Sequence, residues 1–300
     1  MKNKWILIFI LIIMIIIFLL IYKILEFKNS IVETDISNFE PFKENNYLTN
    51  FDIDFKLENN LPTIKVASAF YPFAANFVQN IYDESAYTND LLEMVSTNEA
   101  YEYILNGEAD LIIVTGPSDE QIELINASEI ELTYVELYLE PLVFFVNINN
   151  KIENLNIQQI QEIYYNDNLN WQDYGGNDEK ITTYQLEKNN GSPTAFETIV
   201  KNNDINKYHH EIKYMQQIIN KVAYDKNGIG YAFYSYYSKM YSNINTKLLN
   251  INNEEIESEN YPLLFEVYLI YREDNQNENI DKLVEWINSE EGQNLIEKIK

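Results

Sequence analysis

Cysteine is absent from the chain, and this absence excludes several kinds of chemistry. The protein has no disulfide, no thiolate zinc site and no cysteine nucleophile. A lipid-modified N-terminal cysteine is excluded for the same reason. Any attachment to a membrane must therefore use another part of the sequence.

Positive charge is also scarce. The 300 residues include 21 Lys and Arg against 47 Asp and Glu, which gives a net charge of −26, and Arg272 is the only arginine. Such a protein repels a phosphate backbone, so we predict that nucleic acid is not a partner. An anionic ligand would have to be held by lysine, hydroxyl groups or backbone dipoles.

Catalytic patterns are missing as well. The segment "NDNLNWQDYGGND" superficially resembles a calcium-binding loop, but it lacks the glycine and the glutamate that an EF-hand needs. Ser192 does not lie in a G-x-S-x-G motif, and no histidine base accompanies it. We therefore predict a binding protein that is not an enzyme and that needs no cofactor and no metal.

One long hydrophobic run is present near the start of the chain. Eighteen apolar residues extend without a break from Trp5 to Tyr22, which is enough to cross a bilayer. A cleaved signal peptide would have a shorter apolar core and a small-residue cleavage site. We predict an uncleaved single-pass anchor over residues 1–29, in the cell membrane. Lys2 and Lys4 precede the run, which places the N-terminus in the cytoplasm and the remainder on the extracytoplasmic face.

The rest of the chain divides into a polar segment and an alternating segment. Residues 30–60 are acidic and without clear periodicity, and we predict that they form a stalk. From Leu61 onward, strand patterns such as "TIKVASAF" alternate with helix patterns, which indicates a mostly parallel α/β sheet. In such sheets ligands bind where strand ends lead into helix N-termini.

Several helix-start signals follow predicted strands. "STNE" places Ser96 and Glu99 at the spacing of a capping box. "NNGSPTAFETIV" combines Gly191, Ser192 and Thr194 at the start of another helix. Each hydroxyl is either a simple helix cap or a ligand to an anion at an open helix end, and both interpretations are physically sound.

The order of these segments resembles one known family. "LPTIKVASAFYPFAANFV", "STNEAYEYILNGEADLIIVTGPSDEQ", "EPLVFFVN", "GSPT", "GIGYAFYSYYSKM" and "WINSEEGQNLIEK" are similar to segments of the phosphate-binding (PstS-like) receptors of ABC importers. The resemblance covers residues 61–300. It implies a type II periplasmic-binding-protein fold, with lobe one formed by residues 61–137 and 262–300 and lobe two by residues 138–261.

The resemblance also implies a set of ligand-binding residues for a small oxyanion. They form three loops, with two further positions where the family pattern changes: Ser68, Ala69, Phe70 and Tyr71; Ser96 and Thr97; Gly191, Ser192 and Thr194; Lys188 where the family commonly has arginine; and Thr115 where it often has aspartate. Val66 stands near the usual glycine of the first loop, and Pro193 has no N–H to donate.

Two functions are consistent with this sequence. The first is a membrane-anchored extracytoplasmic solute-binding protein, which binds phosphate or a related oxyanion and delivers it to an ABC permease. The second is a receptor fold that has been converted into an envelope sensor or interaction module. Loss of the arginine and the aspartate favours the second function, whereas the recurring hydroxyl-bearing helix starts favour the first.

Overall fold

The computed structural model describes residues 12–20, 36–200, 210–212, 214–241 and 244–300. The chain divides into two compact units, Met1–Thr34 and Asp35–Lys300. In the first unit, residues 12–20 are helical and exposed. The rest of the predicted span of residues 5–22 lies outside the described residues. Within the described ranges, no helix is both long and apolar enough to cross a bilayer.

The second unit contains eleven strands and eight α-helices among its described residues. The strands are β1 (Ile64–Ala67), β2 (Leu92–Val95), β3 (Leu111–Thr115), β4 (Leu132–Asn147), β5 (Asn154–Leu155), β6 (Thr182–Leu186), β7 (His210–Ile212), β8 (Gly228–Phe233), β9 (Thr246–Leu248), β10 (Asn250–Ile251) and β11 (Leu264–Arg272). The helices are α1 (Tyr71–Ile81), α2 (Thr97–Asn106), α3 (Asp119–Ser128), α4 (Ile157–Tyr165), α5 (Gly191–Val200), α6 (Met215–Tyr224), α7 (Asn279–Ile287) and α8 (Glu290–Ile299).

The main sheet runs through two α/β lobes in the order β2-β1-β3-β11-β4-β8-β6-β7. Strand β1 is parallel to β2 and β3, and β6 is parallel to β7 and β8. The long strands β4 and β11 run antiparallel to their neighbours, so the sheet is mixed. We call β1–β3, β11 and the first part of β4 lobe one, and the second part of β4 with β6, β7 and β8 lobe two. This two-lobed arrangement confirms the predicted architecture.

Strand β4 connects the lobes through Pro141. From Leu132 to Pro141 the strand pairs with β11, and from Leu142 onward it pairs with β8. The sequence predicts that Pro141 interrupts the strand, but the strand is continuous in the structure. A proline is tolerated there because the missing N–H falls where the hydrogen-bonding partner changes.

Aromatic side chains fill the core of lobe two beneath α5. Phe196 on this helix lies 4.7 Å from the ring of Tyr231 on β8 and 5.7 Å from that of Phe144 on β4. Tyr164 on α4 completes the cluster, and all four rings are buried. Aromatic contacts of this kind fix the axis of a helix, so the start of α5 has a defined position.

The described part of the predicted stalk is an arm that packs on lobe one. The backbone N–H of Phe42 donates to Gln79 Oε1 at 2.6 Å, and that of Phe51 donates to Asn80 Oδ1 at 2.7 Å. Both acceptors lie on α1. Leu57 is buried and forms a backbone bridge with Tyr82. Scattered phenylalanines within a polar segment anchor this arm, and they show no helical or strand periodicity.

A buried carboxylate lies where β4 passes between the lobes. Glu140 is 2 % exposed, and it accepts hydrogen bonds from the backbone N–H and the hydroxyl of Ser235, both at 2.7 Å. Burial raises the pKa of Glu140 to about 7, against the opposing effects of the Ser235 hydrogen bonds and the nearby charge of Lys239. Glu140 therefore titrates near neutral pH in the folded protein.

This pKa predicts a specific dependence of stability on pH. Between about pH 4.5 and 7 the folded state retains the Glu140 proton that the unfolded state has lost, so the free energy of unfolding falls as pH rises. From pH 5 to 8 the contribution of Glu140 should fall by about 2 to 3 kcal/mol. Urea unfolding of wild type and Glu140→Gln across this range measures the effect as a difference between the two curves. Parallel pH profiles for the two proteins would refute the prediction.

Candidate functional site

The N-terminus of α5 contacts lobe one directly. The backbone N–H of Gly191, the first residue of α5, donates to Thr97 Oγ1 at 3.0 Å. Thr97 is in turn the first residue of α2. The first residues of two helices from different lobes are therefore in direct contact, and each helix N-terminus carries the partial positive charge of its dipole.

The end of β3 reaches the same point. A Cβ atom added to Gly191 would lie 3.0 Å from Thr115 Oγ1 and 3.2 Å from Thr97 Oγ1. Thr115 is the last residue of β3 and is buried. The structure thus brings together three predicted site residues that are far apart in the sequence, and any side chain at position 191 would push these neighbouring side chains by a few tenths of an ångström.

Three hydroxyl groups at this point have no hydrogen-bonding partner within the part of the chain that the structure describes. They are Thr115 Oγ1, Ser192 Oγ and Thr194 Oγ1, and all three atoms are inaccessible to solvent. A buried hydroxyl without a partner costs about 1–3 kcal/mol, so proteins leave few of them. These three hydroxyls therefore have free hydrogen-bonding capacity at the start of α5.

The hydroxyls of Ser192 and Ser96 have different roles, which the sequence alone leaves open. Ser192 Oγ makes no cap hydrogen bond among the described residues, so the interpretation of Ser192 as a simple cap is wrong. Ser96 Oγ, by contrast, accepts the backbone N–H of Glu99 at 3.1 Å, and the backbone N–H of Ser96 donates to the Glu99 carboxylate at 2.8 Å. Ser96 therefore forms the predicted capping box beside Thr97.

The first predicted loop approaches the site through one aromatic contact. Ser68–Phe70 form a 3₁₀ turn that leads into α1. The ring of Phe70 lies 5.2 Å from that of Phe233, which contacts the same position at Gly191. Ala69 is buried in this turn. Tyr71 is also buried, and burial together with the nearby charge of Glu40 on the arm raises the pKa of Tyr71 to about 12.

Lys188 is exposed, three residues before Gly191. Its charge lowers the pKa of Glu197, whereas burial, the larger effect, and the charges of Asp119 and Glu120 raise it. Lys188 therefore lies in an acidic environment, where its charge is partly offset. Arg272 cannot supply the missing cation, because it donates to Asp274 and to the carbonyl oxygen of Leu105 in lobe one.

Sequence reasoning did not identify two residues at the site. Phe233, at the end of β8, lies against both Gly191 and the ring of Phe70. Asn189 adopts a left-handed backbone conformation with φ of 62° and contacts lobe one. The "NNG" sequence is a turn signal, and this signal could have indicated a special backbone conformation at Asn189.

Comparison with known proteins identifies the superfamily to which the chain belongs. The profile of the PBP superfamily domain matches residues 60–291, so the chain belongs to the PBP superfamily. A curated relative, the phosphate-binding protein PstS of Borreliella burgdorferi, is 22% identical over 173 residues. That match covers 53% of this chain and 61% of the relative, so the chain spans less than two thirds of the relative's length.

Solved structures share the fold. A protein described as a phosphate ABC transporter substrate-binding protein, solved with bound phosphate from Clostridium perfringens, aligns with a TM-score of 0.60 and 20% identity, over 79% of this chain and 97% of that one. An ABC-type phosphate transport receptor from Vibrio cholerae aligns with a TM-score of 0.57 and 18% identity, over 79% and 98%. The resemblance to phosphate receptors is thereby confirmed for the fold.

Proposed function

We propose that the protein is an extracytoplasmic solute-binding protein that binds phosphate or a related small oxyanion between its lobes. The observation that supports this function most strongly is the cluster of buried hydroxyls of Thr115, Ser192 and Thr194 at the start of α5. The named ligand of the relatives, phosphate, is the chemistry that such a cluster suits.

The site would hold the anion without a direct cation. Hydroxyl groups donate hydrogen bonds to oxyanion oxygens, and hydrogen bonds to charge are about twice as strong as neutral ones. The N-termini of α2 and α5 add partial positive charge. The low effective dielectric constant of a buried site strengthens both interactions, which allows an anion to bind in a protein of net charge −26.

We further propose that residues 1–29 anchor the protein in the cell membrane as a single pass, and that an ABC permease receives the ligand. The apolar run from Trp5 to Tyr22 supports the anchor, and the named relatives support the permease. In this arrangement the arm of residues 36–60 stays packed on lobe one. Enzymatic activity is not part of the proposal.

A thermal-shift titration of the full chain in detergent tests the binding function. A ligand that binds only the folded state at a hundred times its Kd adds about 2.7 kcal/mol of stability, which is a rise in Tm of several degrees. We expect phosphate to give this rise and choline, a cation, to give none. An unchanged Tm with phosphate, sulfate and arsenate alike would overturn the proposal and support the alternative of an interaction module.

A further inference from the structure

The residues just before α5 hold a second set of contacts between the lobes, centred on Asn189. Its side-chain Oδ1 accepts the hydroxyl of Ser118 at 3.1 Å, and its backbone carbonyl oxygen accepts Gln121 Nε2 at 3.0 Å. Its side-chain Nδ2 donates to the carboxylate of Glu120. Both ends of the side-chain amide and the backbone carbonyl oxygen thus bond to lobe one.

Two of the residues that contact Asn189 are held in place by a capping box. Ser118 and Gln121 are the two members of the capping box at the start of α3, where the backbone N–H of Gln121 donates to Ser118 Oγ at 3.2 Å. The Ser118 hydroxyl therefore accepts within its own helix and donates across to lobe two. Because the capping box fixes the Ser118 and Gln121 side chains, Asn189 meets two preformed donors, the Ser118 hydroxyl and Gln121 Nε2.

Asn189 has a backbone conformation that few residue types adopt easily. Its φ of 62° lies in the left-handed region, which asparagine tolerates better than most residues. Two residues later, the N–H of Gly191 donates to Thr97 Oγ1, also across the lobes. Residues 189–191 thus contact lobe one through protein groups alone.

We propose that Asn189 is a closure residue, which holds the two lobes together over the start of α5 before any ligand is bound. A receptor that closes only through its ligand spends part of the binding energy on closure. Here the hydrogen bonds of Asn189 to Ser118, Glu120 and Gln121 supply that energy, which compensates for a site without a direct cation. The proposal rests on the proposed function for the ligand's identity, whereas closure itself is measured without ligand.

Spin-label distances test closure in the ligand-free protein. Because the chain has no cysteine, Glu102→Cys on α2 and Gln158→Cys on α4 give one label on each lobe at exposed positions. We expect one short distance for the full chain, and a longer, broader distribution when Asn189→Gly is added. Glycine keeps the positive φ and removes only the side chain.

The matched control is Asn253→Gly, an exposed asparagine of lobe two with φ of 67°. This variant should retain the short distance. If Asn189→Gly gives the same distance distribution as wild type without ligand, the closure proposal is overturned. If Asn189→Gly opens but phosphate fails to restore the short distance, the closure proposal stands and the proposed function fails.

Exchanging the amide and the carboxylate between positions 189 and 120 should restore the contact between the lobes. Asn189→Asp places a second carboxylate beside Glu120 and removes the amide donor, so the lobes should open at neutral pH. Adding Glu120→Gln restores a donor–acceptor pair in the opposite direction, because the new amide at position 120 donates to the new carboxylate at position 189. We expect the short distance to return. A double variant as open as Asn189→Asp alone would show that this contact does not hold the lobes.

Discussion

Replacing Gly191 by valine is expected to weaken phosphate binding at least a hundredfold while the protein stays folded. A Cβ atom at this position lies 3.0 Å from Thr115 Oγ1 and 3.2 Å from Phe233 Cε2, closer than ordinary van der Waals contact. The two further methyl groups of valine enter the space between the hydroxyls. A hundredfold loss corresponds to about 2.8 kcal/mol, comparable to one or two hydrogen bonds to a charged group.

Titration calorimetry with phosphate measures this loss, and circular dichroism confirms the fold. Gly116→Ala is the matched control, because it follows Thr115 but its added Cβ would have a neighbour only at 3.9 Å, the ring of Tyr268. This control should bind as wild type does. Wild-type affinity in Gly191→Val would place the ligand away from the start of α5.

The largest expected change in stability comes from Gly292→Ala. Gly292 is the third residue of α8, and a Cβ atom there would lie 2.1 Å from the carbonyl oxygen of Trp286 and 2.9 Å from Ile287 Cα. Both are backbone atoms at the end of α7, so no side-chain rotation relieves the clash. Overpacking in a core costs about 1–3 kcal/mol and sometimes more. We expect a loss above this range, more than about 3 kcal/mol, because the atoms that clash belong to the backbone.

Urea unfolding gives the free energy directly. Asn294→Ala serves as the control, because Asn294 is exposed on the same helix and alanine favours helix. The control should change the free energy of unfolding by less than about 0.5 kcal/mol. A loss below about 1 kcal/mol for Gly292→Ala would show that the α7–α8 junction adjusts easily, contrary to this account.

Patterns among residues close together in the sequence predicted many of the helices and strands. The predicted capping box at Ser96 forms, and Ser118 and Asn156 form capping boxes with the same spacing, because each box depends only on residues three positions apart. The alternation of strands and helices likewise follows from short-range patterns. Thr97, Thr115 and Gly191 could be chosen as candidates from the sequence and the family resemblance, and the structure brings these three residues into contact, whereas their role in binding stays a prediction.

Contacts between distant residues could not be predicted in this way. Glu140 and Ser235 are 95 positions apart, and Ser118 and Asn189 are 71 apart. Neither pair carries a motif, since only the folded sheet places them together. The same reason explains the packed arm, because its phenylalanines follow no periodicity along the chain. Phe55 stacks on Trp286 of α7, and Lys298 of α8 lies over the ring of Phe51. Whether a hydroxyl caps a helix or faces a ligand is likewise decided by its neighbours across the lobes.

Equilibrium dialysis with radiolabelled phosphate tests the central claim most directly. The full chain in detergent is compared with the double variant Ser192→Ala, Thr194→Ala, which removes two of the three buried hydroxyls. We expect one phosphate per wild-type chain below millimolar concentration, and an affinity at least a hundredfold lower in the variant, because hydrogen bonds to charge contribute about 1.5–3 kcal/mol each. No binding up to millimolar phosphate, or equal binding by both proteins, would contradict the account.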